Sequence, residues 1–410
     1  MIRATRLEVD LDLIAHNFRA VRRILAEGPP ASDGRPPKIA AVLKGNAYGL
    51  GSVAVARELL GAGVDLLAVA CLPEALELRR RWADAPVLVM GHTPTECLGD
   101  AVRARLATTL FDWGQAEAVS AASVALGLRT PVHLKIDTGL NRLGLKPDPG
   151  TAQLIARMAR LPGLWLEGIF THLALRDAGS DADQFRRFVQ VAGEAEAAGV
   201  TFPLKHVCDS IGMMRYPEYR LDLVRTGAIL YGSRPLRAPR AGAMDLRTPF
   251  AFRTRLSRVA RVAEGEGAGY DESWRAPAGG AVLATAPAGY ADGYPRSLSN
   301  KAQAVVRGRR VPVVGLVMMD QLILDVSGVP AAAAGDEVLL LGRAGEDEVG
   351  LEEVAGWAGT NRNEVLCMIG RRVPRIYRRG GRPAGKCDYL LDPMGGDPGG
   401  GEEAGCAAAP

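Results

Sequence analysis

The segment KIAAVLKGNAYGLG, residues 38–51, combines residue types that could form a covalent bond to a carbonyl compound. An apolar run typical of a buried strand ends at Lys44, and three glycines follow it within seven residues. Most lysines in such places extend their ammonium groups into water. Glycines, however, let a backbone approach a ligand closely, and Tyr48 adds a hydroxyl one helical turn beyond Lys44. Lys44 is therefore a candidate Schiff-base lysine beside an anion-binding turn.

Polar side chains also follow several other short apolar runs. If these runs are parallel strands of one barrel, the residues after them gather at the face where the chemistry of such barrels takes place. Each residue alone has an ordinary explanation, since a lone arginine, for example, usually pairs with a nearby carboxylate. The residues that follow successive runs are Lys135, Asp137, Arg142, His172, Asp209, Ser210, Arg225 and Gly227. Their succession predicts one polar pocket.

The pocket suits an anionic aromatic aldehyde. Lys44 could form the imine, and the two arginines could face ring heteroatoms or a substrate carboxylate. Pyridoxal phosphate has these features. The chain lacks a dinucleotide fingerprint, because EGEGAGY does not have the G-x-G-x-x-G spacing, and it lacks a Walker motif. The groups that could hold the phosphate are Tyr48, Ser210 and the backbone N–H groups near Gly227.

Short apolar runs alternate with helix-like stretches from Lys38 to about Arg225. The stretches GSVAVARELLGAG and DADQFRRFVQVAGEAEAAG have apolar residues at three- and four-residue steps and end in glycine. Eight alternations predict an α/β fold with a (β/α)8 TIM-like barrel, while an open doubly wound sheet is the competing architecture. The runs read KIAAVL, LLAVA, PVLVM, RLATTL, PVHLKID, WLEGIFTH, LKHVC and LDLVRTG.

The sequence changes character after Pro249. Short β-branched segments broken by glycine and proline predict a mainly β C-terminal domain. We expect the barrel to cover residues 11–245 and the β-domain 246–380, joined by an N-terminal strand within residues 1–10. Residues 381–410 are rich in Gly, Pro and Ala with little periodicity, which predicts a disordered tail.

Composition argues against several classes of protein. Fifty Lys and Arg residues against 46 Asp and Glu give a net charge of +4 without a long basic run, so nucleic acid is not an expected partner. No apolar stretch is long enough for a membrane span, and the N-terminus lacks the apolar region of a secretory signal. We therefore expect a cytoplasmic protein. Six scattered cysteines form no CxxC pair, and no metal site is expected.

Nine motifs resemble, in order, those of the alanine racemases, a family that uses pyridoxal phosphate on a barrel followed by a β-domain. The resemblance extends to about Arg378, and so many motifs in order are highly specific. It implies racemisation of alanine in a homodimer with shared active sites, supplying D-alanine for cell-wall synthesis. The motifs are AVLKGNAYGLG, KIDTGLNRLG, FTHL, DS at 209–210, VRTGAILYG, GAGYDESW, GYADGYPR, MMDQ and RRVPRIY.

The resemblance also implies a two-base mechanism. Lys44 would carry the cofactor and act as one acid/base group. Tyr270, in GAGYDESW, would be the other, supplied by the β-domain of a partner subunit. Arg225 would face the pyridine nitrogen, with His172 linking it to Tyr270. A cationic His172–Arg225 pair would favour the phenolate of Tyr270.

The remaining matched residues would bind cofactor and substrate. Arg142 would hold the ring phenolate oxygen and the substrate carboxylate, steadied by Lys135, which is carbamylated in some relatives. Tyr290 and the partner's Met319 would border the substrate entrance. The phosphate would be cradled by Tyr48, Ser210 and Gly227.

Three departures from the family pattern bear on substrate choice. Arg371 stands where many relatives have an active-site tyrosine near the phosphate; an arginine could still bind phosphate there. Asp209 replaces the usual asparagine and adds a negative charge near the phosphate site. Gly45 and Leu50 replace the commoner Ala and His.

These departures leave a serine or broad-spectrum amino-acid racemase as the main alternative. A basic-amino-acid decarboxylase shares the architecture but would need an acidic residue where this chain has Arg225. A non-catalytic pyridoxal phosphate carrier would have no use for Tyr270, the second base.

Overall fold

The computed structural model describes residues 3–234 and 244–391, which belong to two compact units. Of the described residues, the barrel unit comprises 14–48, 55–234 and 244–247, and the sheet unit comprises 3–13, 49–54 and 248–391. Residues 49–54 were expected in the barrel but group with the sheet unit. The reason is local, because the Gly49 carbonyl accepts a hydrogen bond from Arg375 Nε (2.9 Å).

The barrel unit contains eight parallel strands in one sheet. The first strand of the chain, β1 (Arg6–Asp10), lies in the sheet unit. The barrel strands are β2 (Lys38–Val42), β3 (Leu66–Val69), β4 (Val87–Val89), β5 (Ala107–Leu110), β6 (Thr130–Lys135), β7 (Leu164–Phe170), β8 (Leu204–His206) and β9 (Leu223–Thr226). Each pairs with the next from β2 to β8, and β9 pairs with β2.

The barrel closes between β9 and β8. The Arg225 N–H donates to the Cys208 carbonyl (3.0 Å), and the Asp222 N–H donates to the Lys205 carbonyl (3.0 Å). These bonds join the two edges that an open doubly wound sheet would leave apart. The predicted barrel is confirmed, and the residues after its strands share one face, as we expected.

Helices connect the strands and bury apolar side chains against them. Two helices begin at aspartates that cap them: Asp112 accepts from the Gln115 N–H and Asp177 from the Ser180 N–H, both at 2.8 Å. In the described part of the chain, no helix combines the length and hydrophobicity that crossing a membrane requires. The helices in this half of the sequence are Leu11–Ala26, Ser52–Gly61, Leu72–Arg81, Leu98–Arg103, Trp113–Ala125, Thr151–Met158, Ala178–Ala197 and Ser210–Arg215.

The sheet unit is mainly β, as predicted. Its strands follow the order β11-β12-β15-β14-β13-β16-β10-β1-β18-β19, with β17 paired to β16. The α-helices in the described part of its C-terminal half are Leu351–Ala358 and Arg362–Cys367. The strands are β10 (Phe250–Arg255), β11 (Arg258–Val262), β12 (Ala281–Ala286), β13 (Gln303–Val306), β14 (Arg309–Val314), β15 (Leu322–Asp325), β16 (Glu337–Ala344), β17 (Asp347–Val349), β18 (Arg375–Arg379) and β19 (Arg382–Cys387).

The first and the last strands of the described residues lie on either side of β18 in this sheet. Strand β1 pairs antiparallel with β10 and parallel with β18. Strand β19 pairs antiparallel with β18, so the beginning of the predicted disordered tail is instead ordered. The prediction was wrong there because composition does not reveal an edge strand that finds a neighbouring strand to pair with. Residues 392–410 of the predicted tail lie outside the described residues.

The connection between β11 and β12 carries Tyr270 and closes with two glycines. Gly279 (φ 85°) and Gly280 (φ 78°) both have left-handed backbone. A Cβ on Gly279 would meet open space, whereas a Cβ on Gly280 would lie 2.4 Å from the Val262 carbonyl oxygen. Only Gly280 therefore combines backbone conformation with close approach to β11.

We expect Gly280→Ala to lower the thermal midpoint by several degrees more than Gly279→Ala. Both substitutions incur the left-handed penalty of about 1–2 kcal/mol, but only Gly280→Ala also displaces a backbone oxygen held in a ladder. Differential scanning calorimetry of the two variants measures the difference. Equal midpoints would show that the Val262 carbonyl moves aside without a loss of stability.

Candidate active site

The segment after β2 forms one turn of left-handed backbone. The φ angles are 63° at Gly45, 59° at Asn46, 52° at Ala47 and 55° at Tyr48. Each non-glycine residue in this conformation costs about 1–2 kcal/mol, so such a run persists only where its surroundings fix it. It turns the chain sharply after Lys44, which is exposed directly beyond the end of β2.

Glu74 fixes the start of this turn. Its carboxylate accepts hydrogen bonds from the Gly45 N–H (2.7 Å) and from the Ala70 N–H (2.8 Å). One side chain thereby ties the turn after β2 to the end of the neighbouring strand, β3. Lys44 is therefore presented by a braced backbone at the carboxyl face of the barrel.

Three predicted phosphate-binding residues lie together. Ser210 Oγ accepts a hydrogen bond from the Gly227 N–H (3.1 Å), and a Cβ on Gly227 would lie 2.5 Å from the Tyr48 hydroxyl. Only glycine allows this approach. The Tyr48 ring lies 5.0 Å from the ring of Tyr231, whose hydroxyl donates to the Val42 carbonyl (2.8 Å). The Tyr48–Ser210–Gly227 cluster is therefore formed within the barrel unit.

Asp209 has a structural role that its sequence position did not reveal. Its Oδ1 accepts from the Ile211 N–H (3.0 Å) and the Gly212 N–H (2.8 Å), which makes it the N-cap of helix Ser210–Arg215. The positive end of the helix partly compensates the carboxylate. The extra negative charge relative to asparagine is therefore accommodated locally.

Arg225 is buried, and backbone and side-chain groups hold its guanidinium. Nη1 donates to His206 Nδ1 (2.8 Å) and the His206 carbonyl (3.1 Å). Nη2 donates to the carbonyls of Thr171 and Val207 (both 2.8 Å), and His172 Nδ1 lies 3.3 Å from it as a third, weaker acceptor. Burial lowers the pKa of Arg225 to about 10, so it stays charged at neutral pH. Among the described residues its hydrogen bonds all use Nη1 or Nη2, which leaves Nε–H as a donor toward a ligand.

His172 lies beside Arg225, as predicted, but it is not cationic. Burial and then the positive charges of Arg225, Arg142, Lys135 and Lys44 hold the pKa of His172 well below its ordinary value. The positive charge of the His172–Arg225 pair therefore lies on Arg225, and the effect of this pair on the phenolate of Tyr270 stays a prediction. A neutral His172 accepts from Arg225 at Nδ1 and keeps Nε2–H as a donor.

Lys135 is buried at the end of β6. Its Nζ donates to the Ile136 carbonyl (2.8 Å) and lies 5.2 Å from the centre of the Phe170 ring. Burial first, and then the charges of Arg225 and Arg142, lower the pKa of Lys135 to about 7. A large share of this amine is therefore uncharged near neutral pH, unlike that of an ordinary lysine.

Arg142 lies on the loop after β6, which Asp137 organises. Asp137 Oδ1 accepts from the N–H groups of Gly139 (3.2 Å) and Asn141 (2.9 Å), while Oδ2 pairs with Lys146 Nζ (2.8 Å). Arg142 itself is exposed. Its charge nevertheless acts on both Lys135 and His172, so it belongs to the same cationic group.

The other predicted residues lie in the sheet unit, on exposed turns. Tyr270 is 69% exposed, Met319 53% and Tyr290 43%. The turns of the last two are joined, since the N–H of Tyr290 donates to the Met318 carbonyl (3.0 Å). Arg371 is also exposed, with its guanidinium 5.5 Å from the ring centre of Tyr389.

Four residues of the barrel site were missed by sequence reasoning. His206, His133 and Glu167 form hydrogen bonds that continue from Arg225, and Glu74 braces the Lys44 turn. One signal was available, because His133 precedes Lys135 by two residues and side chains two apart on a strand share a face. No comparable pattern singles out Glu74, which lies inside a helix.

Comparisons with known proteins agree with this geometry. Residues 9–235 match the family model "Alanine racemase, N-terminal domain", and residues 250–377 match "Alanine racemase, C-terminal domain". The curated alanine racemase of Desulforamulus reducens is 40% identical over 373 residues, which cover 90% of this chain and 98% of that protein. That of Sorangium cellulosum is 41% identical over 389 residues, with 92% and 100% coverage.

Solved structures give the same result. The alanine racemase of Clostridium difficile 630 superimposes with a TM-score of 0.88 at 32% identity, covering 95% of this chain and all of that one. The Bacillus anthracis enzyme with bound L-Ala-P gives 0.85 at 32% identity, with 96% and 99% coverage. The chain therefore belongs to the alanine racemase family of isomerases.

Proposed function

We propose that this protein interconverts L- and D-alanine with pyridoxal phosphate held in the barrel unit, in the cytoplasm, and so supplies D-alanine for peptidoglycan. The observation that carries the proposal is the juxtaposition of Ser210, Gly227 and Tyr48 at the barrel face that also presents Lys44 and the donor-only Arg225. Family membership sets the reaction class, and these residues fit the chemistry that the reaction needs.

The residues fit the cofactor. The Tyr48–Ser210–Gly227 cluster offers hydroxyls and a close backbone approach for a phosphate, while Lys44 supplies an amine for an aldehyde. When bound, pyridoxal phosphate withdraws electrons from the α-carbon of an attached amino acid, which makes the α-proton removable. Arg225 would face the ring nitrogen with its Nε–H and, because a guanidinium retains its proton, would not protonate it.

Two proton carriers are needed because racemisation removes a proton from one side of the α-carbon and delivers one to the other. We assign these roles to Lys44 and to Tyr270 of a second copy of the chain. The exposure of Tyr270, Tyr290 and Met319 supports this assignment, since it leaves these side chains accessible to a second copy of the chain. Neutral His172 would donate from Nε2 toward the Tyr270 oxygen and so stabilise its phenolate.

Mixing two inactive variants tests the shared site. Lys44→Ala and Tyr270→Phe should each abolish racemisation, and an exchanged 1:1 mixture should recover about a quarter of wild-type activity. Half of the dimers are then mixed, and each mixed dimer has one site with both groups intact. A site built within one chain would recover nothing, because every chain lacks one group.

Subunit exchange must be measured in the same samples. Differently tagged copies of Lys44→Ala, mixed alone, provide the control, since they exchange without ever forming an intact site. Absence of recovery in the mixture, with exchange shown by co-purification of the tags, would contradict the proposal that Tyr270 acts across subunits.

The preferred substrate is the second question. We propose alanine, and the observation that favours a serine or broad-spectrum alternative is Arg371, whose guanidinium lies at the surface of the sheet unit beside Tyr389. An added cation near a small-substrate pocket could favour a hydroxyl-bearing side chain. Arg371 would otherwise serve as a phosphate ligand.

We expect L-alanine to exchange its α-proton for deuterium faster than L-serine. NMR of both amino acids in heavy water, with the visible absorption of the bound cofactor as a control for loading, measures the rates. A hydrophobic pocket suited to alanine disfavours a substrate with an added hydroxyl, by about 100-fold at best. If L-alanine exchanged at less than about a tenth of the rate of L-serine, the alanine assignment would be rejected.

Lys135 is proposed to carry a carbamate. Its pKa of about 7 means that at pH 8 about ten neutral amines exist for each charged one. The neutral amine adds to CO₂, forming an N–C bond and releasing a proton, and the resulting anion would be stabilised by Arg142 and Arg225. The product would place an anion within a cationic group.

Protein equilibrated with ¹³C-bicarbonate at pH 8 should show a carbamate carbon signal that Lys135→Met removes. The control is Lys205→Met, because Lys205 is a half-buried lysine of the same barrel paired with Glu196 (2.7 Å). A signal that survives Lys135→Met, or no signal at all in wild type, would refute the carbamate.

A further inference from the structure

A line of hydrogen bonds leads from Arg225 into the barrel and ends at Glu167. Arg225 Nη1 lies 2.8 Å from His206 Nδ1, His206 Nε2 lies 2.8 Å from His133 Nδ1, and His133 Nε2 lies 3.1 Å from Glu167 Oε2. Both imidazoles are fully buried, whereas the carboxylate is partly exposed. We name His206, His133 and Glu167 the histidine relay.

Only one arrangement of protons satisfies these contacts. A guanidinium can only donate, so His206 Nδ1 must accept and its proton must lie on Nε2. His133 Nδ1 must then accept that proton, and its own proton must lie on Nε2 and point at the Glu167 carboxylate. Both histidines are therefore neutral. A proton on Nδ1 of either ring would place two donors against each other.

The strands are adapted to hold the relay. A Cβ on Gly168 would lie 2.4 Å from His133 Nδ1, so a glycine makes room for this ring inside β7. The register between β6 and β7 shifts at Val132 and His133. The Phe170 ring stacks on His206 with centres 4.7 Å apart and planes within 2°. A glycine inside a strand and a register shift both weaken the hydrogen bonding between strands, so holding the two rings in these positions lowers the stability of the sheet.

We propose that the histidine relay is a set of positioning residues that keeps His206 Nδ1 an acceptor and thereby fixes the Arg225 guanidinium. Each imidazole that donates toward Glu167 becomes a better acceptor on its other nitrogen, because polarisation accumulates along a chain of hydrogen bonds. Arg225 Nη1 is thereby held against His206 inside the barrel. The guanidinium then keeps the orientation in which its Nε–H points toward the face that would bind the ligand. The inference rests on the proposed function for its effect on racemisation, but not for the proton order.

Removing the Glu167 acceptor should release this order. In Glu167→Leu the His133 Nε2–H would be buried without a carboxylate, so the proton is expected to move to Nδ1. His206 would then have to accept at Nε2 and carry its proton on Nδ1, where it would oppose Arg225 Nη1. Glu167→Gln presents a carbonyl oxygen of the same reach and should preserve the original order.

Nitrogen NMR of ¹⁵N-histidine-labelled holoprotein reads the proton positions directly, because protonated and unprotonated ring nitrogens have well-separated shifts. The chain has five histidines, so single His→Asn replacements at His16, His92 and His172 assign the remaining two by elimination. We expect both relay histidines of wild type to be protonated on Nε2 alone. A proton on Nδ1 of either, in wild type, overturns the proposal without any variant having to fold.

Kinetics provides the second measurement. Glu167→Leu should lower kcat about 10-fold with little change in KM, as is typical when an outer partner of a histidine is removed, while Glu167→Gln should retain most of the rate. Glu196→Leu is the control, because Glu196 is an exposed carboxylate that likewise pairs with a side chain on a barrel strand. It should alter neither kcat nor the tautomers.

The two proposals fail in different ways. Wild type that does not racemise alanine would refute the proposed function, while the nitrogen spectra would still decide the proton order. Unchanged tautomers in a folded Glu167→Leu, or equal losses of kcat in the Leu and Gln variants, would overturn the positioning role.

Discussion

A buried guanidinium constrains the whole carboxyl face of the barrel. Arg225 can remain charged away from water only if acceptors surround it, and the barrel supplies them from two adjacent strands: carbonyls at Thr171, His206 and Val207 and imidazole nitrogens at His172 and His206. Removing one of these acceptors would leave a buried charged donor unsatisfied, which costs about 1–3 kcal/mol or more. The positions of both histidines, and the ends of β7 and β8, are therefore tied to the placement of one side chain.

The same charge determines the protonation states of its neighbours. The charges of Arg225 and Arg142 disfavour a further positive charge on both Lys135 and His172, and Lys44 adds to this effect at His172. The imidazole consequently stays neutral and the amine is easily neutralised. The site thus places its positive charge on the arginines, which retain their protons, while burial and these charges disfavour the charged forms of Lys135 and His172.

Sequence reasoning predicted the elements that are specified by short stretches of sequence. The eight apolar runs, the glycines after Lys44 and the polar residues directly beyond each strand could be read without tertiary information. The protonation state of His172 could not be read from the sequence, because it depends on burial and on cations from three separate strands. The histidine relay was missed because His133 and His206 lie inside strands, where a register shift at Val132 changes which residues face each other. The ordered strand β19 was missed because its stability comes from pairing with β18, not from its own composition.

The sheet unit holds exposed aromatic side chains on well-defined turns. Asp292 is buried between the turn that carries Tyr290 and the segment after Gly370. It accepts from the Gly289 N–H (3.0 Å) and from Arg372 Nε (2.7 Å), and Arg372 also pairs with Asp320 (2.7 Å). Asp320 follows Met319, so Arg372 joins both turns by pairing with the buried Asp292 and the exposed Asp320. An ion pair with one buried partner adds little net stability but restricts geometry, so the exposed side chains on these turns are held in defined positions.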